Sequence, residues 1–403
     1  MLSPRADHRP ALDLAASQPM LDQTLDWARI NSGTTNLAGL AAVAARLADA
    51  FSLLPGTLDL RDADPTEAIL PDGAIRTIER GRNLHLVVRP DAPTQVLLTG
   101  HMDTVFAADH PFQSIRTLDD GRINGPGVAD MKSGLAIMLA ALTAIEASPL
   151  RHRIGYEVVV NSDEETGSHG SVALIARAAR GKAAALTYEP AARPDGLLAG
   201  ARPGSGNFSF RITGRSAHAG RNPEDGRNAV LAASDLALRL AKAAGPRLSV
   251  NPAKIDGGGP NNVVPDHAVL RVNMRPATLE DEARANSHVE SAIAMVATAH
   301  DVTIHSHGGF ARPPKPLDPA AERLFALVRD CGATLGQSIA WAPSGGVCDG
   351  NNIAAAGVPV VDTMGARGGA IHSADEFLIP DSLVERAQLS TLVLLALAER
   401  GAA

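Results

Sequence analysis

The chain has 403 residues, which at roughly 100–200 residues per domain suggests two or three domains and a core that needs no disulfide support. Apolar residues make up 45% and charged residues 20%, and a net charge of −7 with no run dense in Lys or Arg argues against a nucleic-acid track or an anionic membrane surface. Two cysteines, Cys331 and Cys348, are too few for the disulfide framework common in secreted chains, so a reducing cytoplasm is expected.

In chain order, the first ~15 residues read as an unstructured lead, and the polar start 1–10 lacks the apolar core of a signal peptide. No run of 18 apolar residues stands out, so no membrane span is expected. Helical spacing begins near Met20 and returns over 36–51, where Leu37, Leu40, Ala44, Leu47 and Phe51 share one side. Short apolar runs at 84–88, 96–99, 156–160, 185–188 and 358–361 read as strands buried on both faces, with helices over 133–147 and 170–180 between them. This alternation predicts an α/β fold, a mixed but mainly parallel sheet flanked by helices.

The section 198–311 reads differently. Residues 207–213 alternate Phe208, Phe210 and Ile212 with polar neighbours, as a half-exposed strand does. A helix over 228–243, a strand over 268–274, a helix over 280–299 and a strand over 302–306 follow, a small α+β unit with one open sheet face. The stretch Gly204-Ser205-Gly206 and Pro313-Pro314 mark its joints. The expected organisation is therefore a large domain, 1–197 with 312–403, carrying an inserted domain at 198–311.

Four of the apolar strands run into metal-competent residues: His101, the acids Asp163-Glu164-Glu165, Glu189, and, through a Gly-rich loop, His372. Ligands of open α/β sheets bind beyond the carboxyl ends of the strands, so these residues can converge. Asp130, in Gly127-Val128-Ala129-Asp130-Met131-Lys132, is a fifth candidate at a predicted helix start. Two imidazoles and three carboxylates suit Zn²⁺ and are acceptable to Mn²⁺ or Co²⁺. Five donors exceed one tetrahedral site, whereas an Asp bridging two ions ~3.5–4 Å apart uses them all. Each piece alone has an ordinary explanation, a structural histidine or a solvated acid pair; the joint pattern carries the reading.

The strings Gly100-His101-Met102-Asp103-Thr104-Val105, Gly127 to Lys132, Asp163-Glu164-Glu165-Thr166-Gly167-Ser168, Tyr188-Glu189-Pro190, Gly214-Arg215-Ser216-Ala217-His218-Ala219-Gly220 and His372-Ser373-Ala374-Asp375-Glu376 span most of the chain. In this order they resemble the co-catalytic dizinc metallopeptidase family of glutamate carboxypeptidase, acetylornithine deacetylase, succinyl-diaminopimelate desuccinylase and aminoacylase, the first branch most of all. The resemblance implies a zinc-exopeptidase-like fold whose inserted unit is a lid that also forms homodimers. It implies Asp130 as the bridging ligand, with His101 and Glu189 completing one metal site and Glu165 and His372 the other. Glu164 is implied as the general base that takes the proton of a metal-bound water, and Asp103 as the partner of the second His101 ring nitrogen. The Asp130–Met131 peptide is expected to be cis.

The resemblance further implies that His218 reaches the partner's active site to stabilise an oxyanion. Arg275 and Asn262 would grip a substrate carboxylate, and Gly345 and Gly346 belong to a substrate-binding glycine loop. Cys348, where relatives carry Ser or Thr, reads as a neutral small residue; Arg367, His305, His307 and His169 read as bystanders. The implied activity is amide hydrolysis of N-acyl amino acids or small peptides with a free carboxylate. An N-acyl-amino-acid deacylase and a catalytically silent ligand-binding relative are the competing readings.

Overall fold

The computed structural model describes residues 7–400, so the first six residues of the expected lead lie outside it. The remainder of that lead is not unstructured. Arg9–Ala16 is a helix with Pro10 in its first turn, where the missing N–H costs nothing. Ala11, Leu12 and Ala15 form a short apolar stripe packed on the C-terminal helix Asp381–Arg400, and the His8 ring lies 3.2 Å from Glu399. Three small apolar positions in eight residues are too few to stand out in the sequence; their partner is more than 350 residues away.

The central sheet has six strands in the order Thr57–Arg61, Asn83–Val88, Ile154–Asn161, Thr94–His101, Ala184–Thr187 and Val360–Val361. Asn83–Val88 pairs antiparallel with both neighbours, and the last four strands are mutually parallel. The parallel strands are almost wholly buried, as their unbroken apolar runs predict. Thr57–Arg61 alternates exposed and half-buried residues at the edge, which is why no apolar run announces it.

Helix Ser133–Ala147 lies where the spacing predicts and is buried on nearly every side. With the preceding turn, Val128–Ala147 is the one stretch among the described residues long and apolar enough to cross a membrane; 94% of its apolar window is buried inside the molecule, so it is a core helix. Gly134 faces the strand end that carries Glu189: a Cβ there would stand 2.0 Å from the Tyr188 carbonyl oxygen.

A second, four-stranded antiparallel sheet runs Leu248–Gly257, His267–Pro276, Ser205–Thr213, Thr303–Arg312. Helices Ala229–Ala241 and Leu279–His300 cover one face, and Phe208, Phe210, Ile212, Leu236, Leu240, Met274 and Val289 form a core of their own. Leu248–Gly257 is an addition to the sequence reading. It is a largely exposed edge strand whose register shifts next to Pro252, so it lacks an apolar signature.

The other face of this sheet is not open. The hairpin Thr66–Ile69/Ile75–Ile78 lies across it. Its backbone carbonyls at Glu67, Ile69, Pro71 and Gly73 meet the side chains of His307 (3.0 Å), Arg271 (3.1 Å), His267 (3.0 Å) and Arg211 (3.3 Å). The two connections between the sheets run side by side, with Arg202 and Lys315 exchanging backbone hydrogen bonds of 2.9 and 3.0 Å.

Candidate active and metal site

The four adjacent parallel strands all end at one rim of the central sheet. His101 closes Thr94–His101, Glu164 and Glu165 lie on the turn after Ile154–Asn161, Glu189 follows Ala184–Thr187, and His372 lies in the loop after Val360–Val361. Asp130 stands on the irregular turn Val128–Lys132, entered through Gly127 at φ +72° and holding the cis Asp130–Met131 peptide that the sequence led us to expect. Glu376 shapes this turn: its carboxylate accepts backbone N–H groups of Gly127, Ala129 and Asp130 at 3.2, 2.9 and 3.1 Å.

The side chains converge closely. His101 Nε2 lies 3.1 Å from Asp130 Oδ1 and 3.6 Å from Glu189. His372 Nε2 lies 3.3 Å from Asp130 Oδ2 and 3.2 Å from Glu165. Asp130 therefore offers one oxygen to each histidine. Ligand-type atoms of His101, Asp130 and Glu165 lie within 4.8 Å of one another, and so do those of His101, Glu164 and Glu189. The other ring nitrogen of His101 faces Asp103, 3.1 Å from its carbonyl and 3.3 Å from its carboxylate. The Asp103 carboxylate also accepts from Thr34 Oγ1 (2.7 Å), Glu164 N (3.2 Å) and Glu165 N (3.1 Å).

Crowding these acids has an electrostatic cost. Burial pushes Glu189 up to about 7, despite His101 beside it. Burial likewise raises Glu165, with Asp130 adding to it, and raises Glu164 well above the carboxylate range against the pull of Arg312. Hydrogen bonds to Asp130 and Glu165 lift His372 to about 11. Buried carboxylates pressed against imidazoles form the N/O donor set that divalent cations neutralise, so the residues present fit a pair of such ions.

The cluster opens into a cleft of about 380 Å³. Pro190, Ala191, Pro194, Ile371 and Phe377 give it an apolar wall, and Arg202, Gly346 and Cys348 line it as well. Arg275 and Gly345 do not line the cleft themselves; Arg275 Nη1 donates to the Gly345 carbonyl at 2.9 Å, and Gly345 sits between the lining residues Ser344 and Gly346. His218 and Asn262 do not line the cleft; both are exposed on the second sheet's unit, adjoining through the Ala219 N–H to Asn262 carbonyl bond of 2.9 Å. Cys348 is buried, its thiol 3.5 Å from Asp362. Arg367 ties the Pro194 carbonyl (2.9 Å) to Glu385, His307 holds the hairpin, and burial lowers the pKa of His169.

Several contributors escaped the sequence reading. Arg202 forks onto Asp362 at 2.8 and 3.1 Å, and Lys315 joins the same carboxylate at 3.0 Å. Arg312 binds Glu164. Lys132, buried and drawn down to about 8 by burial, reaches Ser32 Oγ and the Met102 carbonyl. Lys132 and Glu376 sat inside recognised strings, and Arg202 and Arg312 flank the Gly and Pro joints; position beside a joint was the one signal available.

A model of peptidase family M20/M25/M40 matches residues 97–396, three quarters of the chain and all six clustered residues. The chain belongs to this family. It is 29% identical over 377 residues to carboxypeptidase G2 of Pseudomonas sp. (strain RS-16), covering 88% of this chain and 84% of that one. It is 27% identical to succinyl-diaminopimelate desuccinylase of Psychrobacter arcticus, covering 74% and 77%. Among solved structures it resembles a tripeptidase from Staphylococcus aureus (TM-score 0.71, 22% identity, 94% and 98% covered). It also resembles an M20 family metallo-carboxypeptidase from Sulfolobus solfataricus (TM-score 0.71, 14% identity, 94% and 99% covered). At these identities the structural likeness speaks for the fold. As a member of the M20 family the chain is an enzyme, a hydrolase of the metallopeptidase and amidohydrolase class.

Proposed function

We propose that the chain hydrolyses the amide bond of N-acyl amino acids or small peptides with a free carboxylate, with a glutamate-carboxypeptidase-like preference. One observation carries the reading: two imidazoles and three carboxylates gather around Asp130 at the ends of four parallel strands, with Glu164 beside them. His101, Asp130 and Glu189 would hold one divalent ion and Asp130, Glu165 and His372 the other, most simply Zn²⁺, with Mn²⁺ or Co²⁺ acceptable to the same donors. Such ions supply a water nucleophile at neutral pH and polarise the scissile carbonyl.

The protein's own groups do the rest. Glu164 takes the nucleophile's proton and returns it to the leaving amine. Asp103 fixes the His101 ring by facing its second nitrogen. Arg275, anchored on the Gly345 carbonyl, presents a guanidinium to the substrate carboxylate beside the Gly345-Gly346 loop, and Asn262, exposed next to His218 and off this cleft, would have to reach the substrate as His218 does. The catalytic domain is 1–197 with 312–403, and 198–311 is the lid and dimer-forming domain. The exposure of His218 fits a residue that serves the other protomer of a homodimer. A cytoplasmic setting with small-molecule substrates suits the two unpaired cysteines and the size of the cleft.

The apolar cleft wall favours an uncharged acyl group over the succinyl group of a desuccinylase substrate, because Arg202, the cation lining it, is already forked onto Asp362. N-acyl-glutamates compared with N-acetyl and N-succinyl amino acids separate carboxypeptidase from deacylase preference. Chelation tests the whole reading: removal of metal should abolish hydrolysis and Zn²⁺, Mn²⁺ or Co²⁺ should restore it. Full turnover by the metal-free protein refutes it, and silence with every metal points to a ligand-binding relative.

A further inference from the structure

Arg312 ends the last strand of the four-stranded sheet, immediately before Pro313-Pro314 returns the chain to the central sheet. Its side chain is 8% exposed. A single nitrogen, Nη2, lies 2.7 Å from Glu164 Oε1, 3.0 Å from the Glu164 carbonyl and 3.0 Å from Ser168 Oγ. Asp349 stands 3.5 Å from the same nitrogen and is itself held by Asn161 at 2.9 Å. The guanidinium is thus seated on Asp349 and Ser168 and grips both the main chain and the carboxylate of Glu164. That carboxylate also comes within 4.8 Å of His101 and Glu189.

We propose that Arg312 is a positioning residue for Glu164, holding its carboxylate against the metal-type cluster from the strand that ends the inserted unit. The physical need is clear from the surroundings. Glu189 and Asp349 also act on Glu164 and repel its charge, and a glutamate has three rotatable bonds by which to turn away from them. Arg312 supplies the compensating cation and removes that freedom. Because Arg312 closes a strand of the four-stranded sheet at the junction with the catalytic domain, Glu164 takes its place from that sheet as well as from its own turn. A displacement of that sheet relative to the central one moves the guanidinium and with it the base.

The inference rests on reading Glu164 as the base, and the test separates the two. Arg312→Gln and Arg312→Lys are compared with the parent as metal-loaded proteins, measuring kcat and KM on an N-acyl-glutamate, bound metal, thermal stability and the crystal structure of each variant. A misplaced catalytic group costs on the order of 100-fold, so Arg312→Gln should lower kcat about that much with KM within about twofold and metal content unchanged. Arg312→Lys keeps the charge, but its shorter side chain stops short of the position that Nη2 occupies between Glu164 and Asp349, so its kcat should fall roughly tenfold at unchanged KM. In the glutamine variant Glu164 should turn away from His101. A folded Arg312→Gln protein with parental kcat, a loss confined to KM, or an unmoved Glu164 overturns the proposal. If the glutamine variant does not fold, the lysine variant decides, parental kcat there being the overturning result. If the parent hydrolyses no substrate, the reading of Glu164 as base fails, and the position of Glu164 in the variant structures still decides whether Arg312 holds it.

Discussion

Asp103 shows how few atoms it takes to organise this site. Its Oδ1 faces the His101 ring and accepts the Glu164 N–H while its Oδ2 accepts the Glu165 N–H, so one buried acid aligns the ends of two neighbouring strands. Glu164 is where chemistry should be most sensitive. Glu164→Gln keeps the shape and loses the proton acceptor, so kcat should fall by about 10²- to 10⁴-fold while bound metal, measured by elemental analysis, stays unchanged. The cysteines should be silent. Burial pushes Cys331 up to about 12 and Cys348 well above its usual value, so at pH 8 both stay protonated and neither is nucleophilic. Native protein treated with iodoacetamide at pH 8 should show no adduct by mass spectrometry, and two adducts once unfolded; modification of native Cys348 would refute its burial.

At the scale of elements, the site depends on helix Ser133–Ala147 lying close under the strand that delivers Glu189. Gly134 permits the approach, since a methyl group there would overlap the Tyr188 carbonyl at 2.0 Å. In an exposed helix, Gly→Ala would stabilise. Here the overlap wins, because the obstacle is backbone and cannot swing aside. Gly134→Ala should destabilise the protein by roughly 1–3 kcal/mol in urea unfolding, the range for overpacking a tight core. It should also weaken metal binding, because the strand end that moves is the one carrying Glu189. The hairpin at 66–78 works differently. Its carbonyls are taken by side chains of the second sheet rather than by a neighbouring strand, which joins the two sheets without merging their cores.

At the scale of the molecule, two expected participants, His218 and Asn262, do not line the cleft. His218 is exposed and does not line it, whereas the acid–imidazole cluster does. If His218 serves a partner protomer, two inactive variants should repair each other. His218→Ala supplies an intact cluster and Glu164→Gln supplies an intact His218. Mixing them after subunit exchange should restore about a quarter of parental activity, since half the dimers are mixed and each has one complete site. No recovery in demonstrably mixed dimers would place His218 outside the partner's site.

The sequence alone carried the α/β architecture, because strands buried on both faces must be apolar throughout and helices between them must be periodic. It also carried the clustered residues: all but Asp130 follow a parallel strand, and parallel strands bring their ends to one rim, while Asp130 stands in a glycine-led turn at a helix start. Helix Ser133–Ala147 was legible to the residue. The edge strands Thr57–Arg61 and Leu248–Gly257, the hairpin over the second sheet and the helix Arg9–Ala16 were not, because each owes its stability to a distant surface and shows little pattern of its own. Arg202, Arg312 and Lys315 read as solvated charges at two joints. Only the tertiary structure pairs those joints and sets the three cations against Asp362, Glu164 and Asp349. Ligand types follow from local chemistry, which a sequence displays; the charges that hold them in place act through space, which only the fold defines.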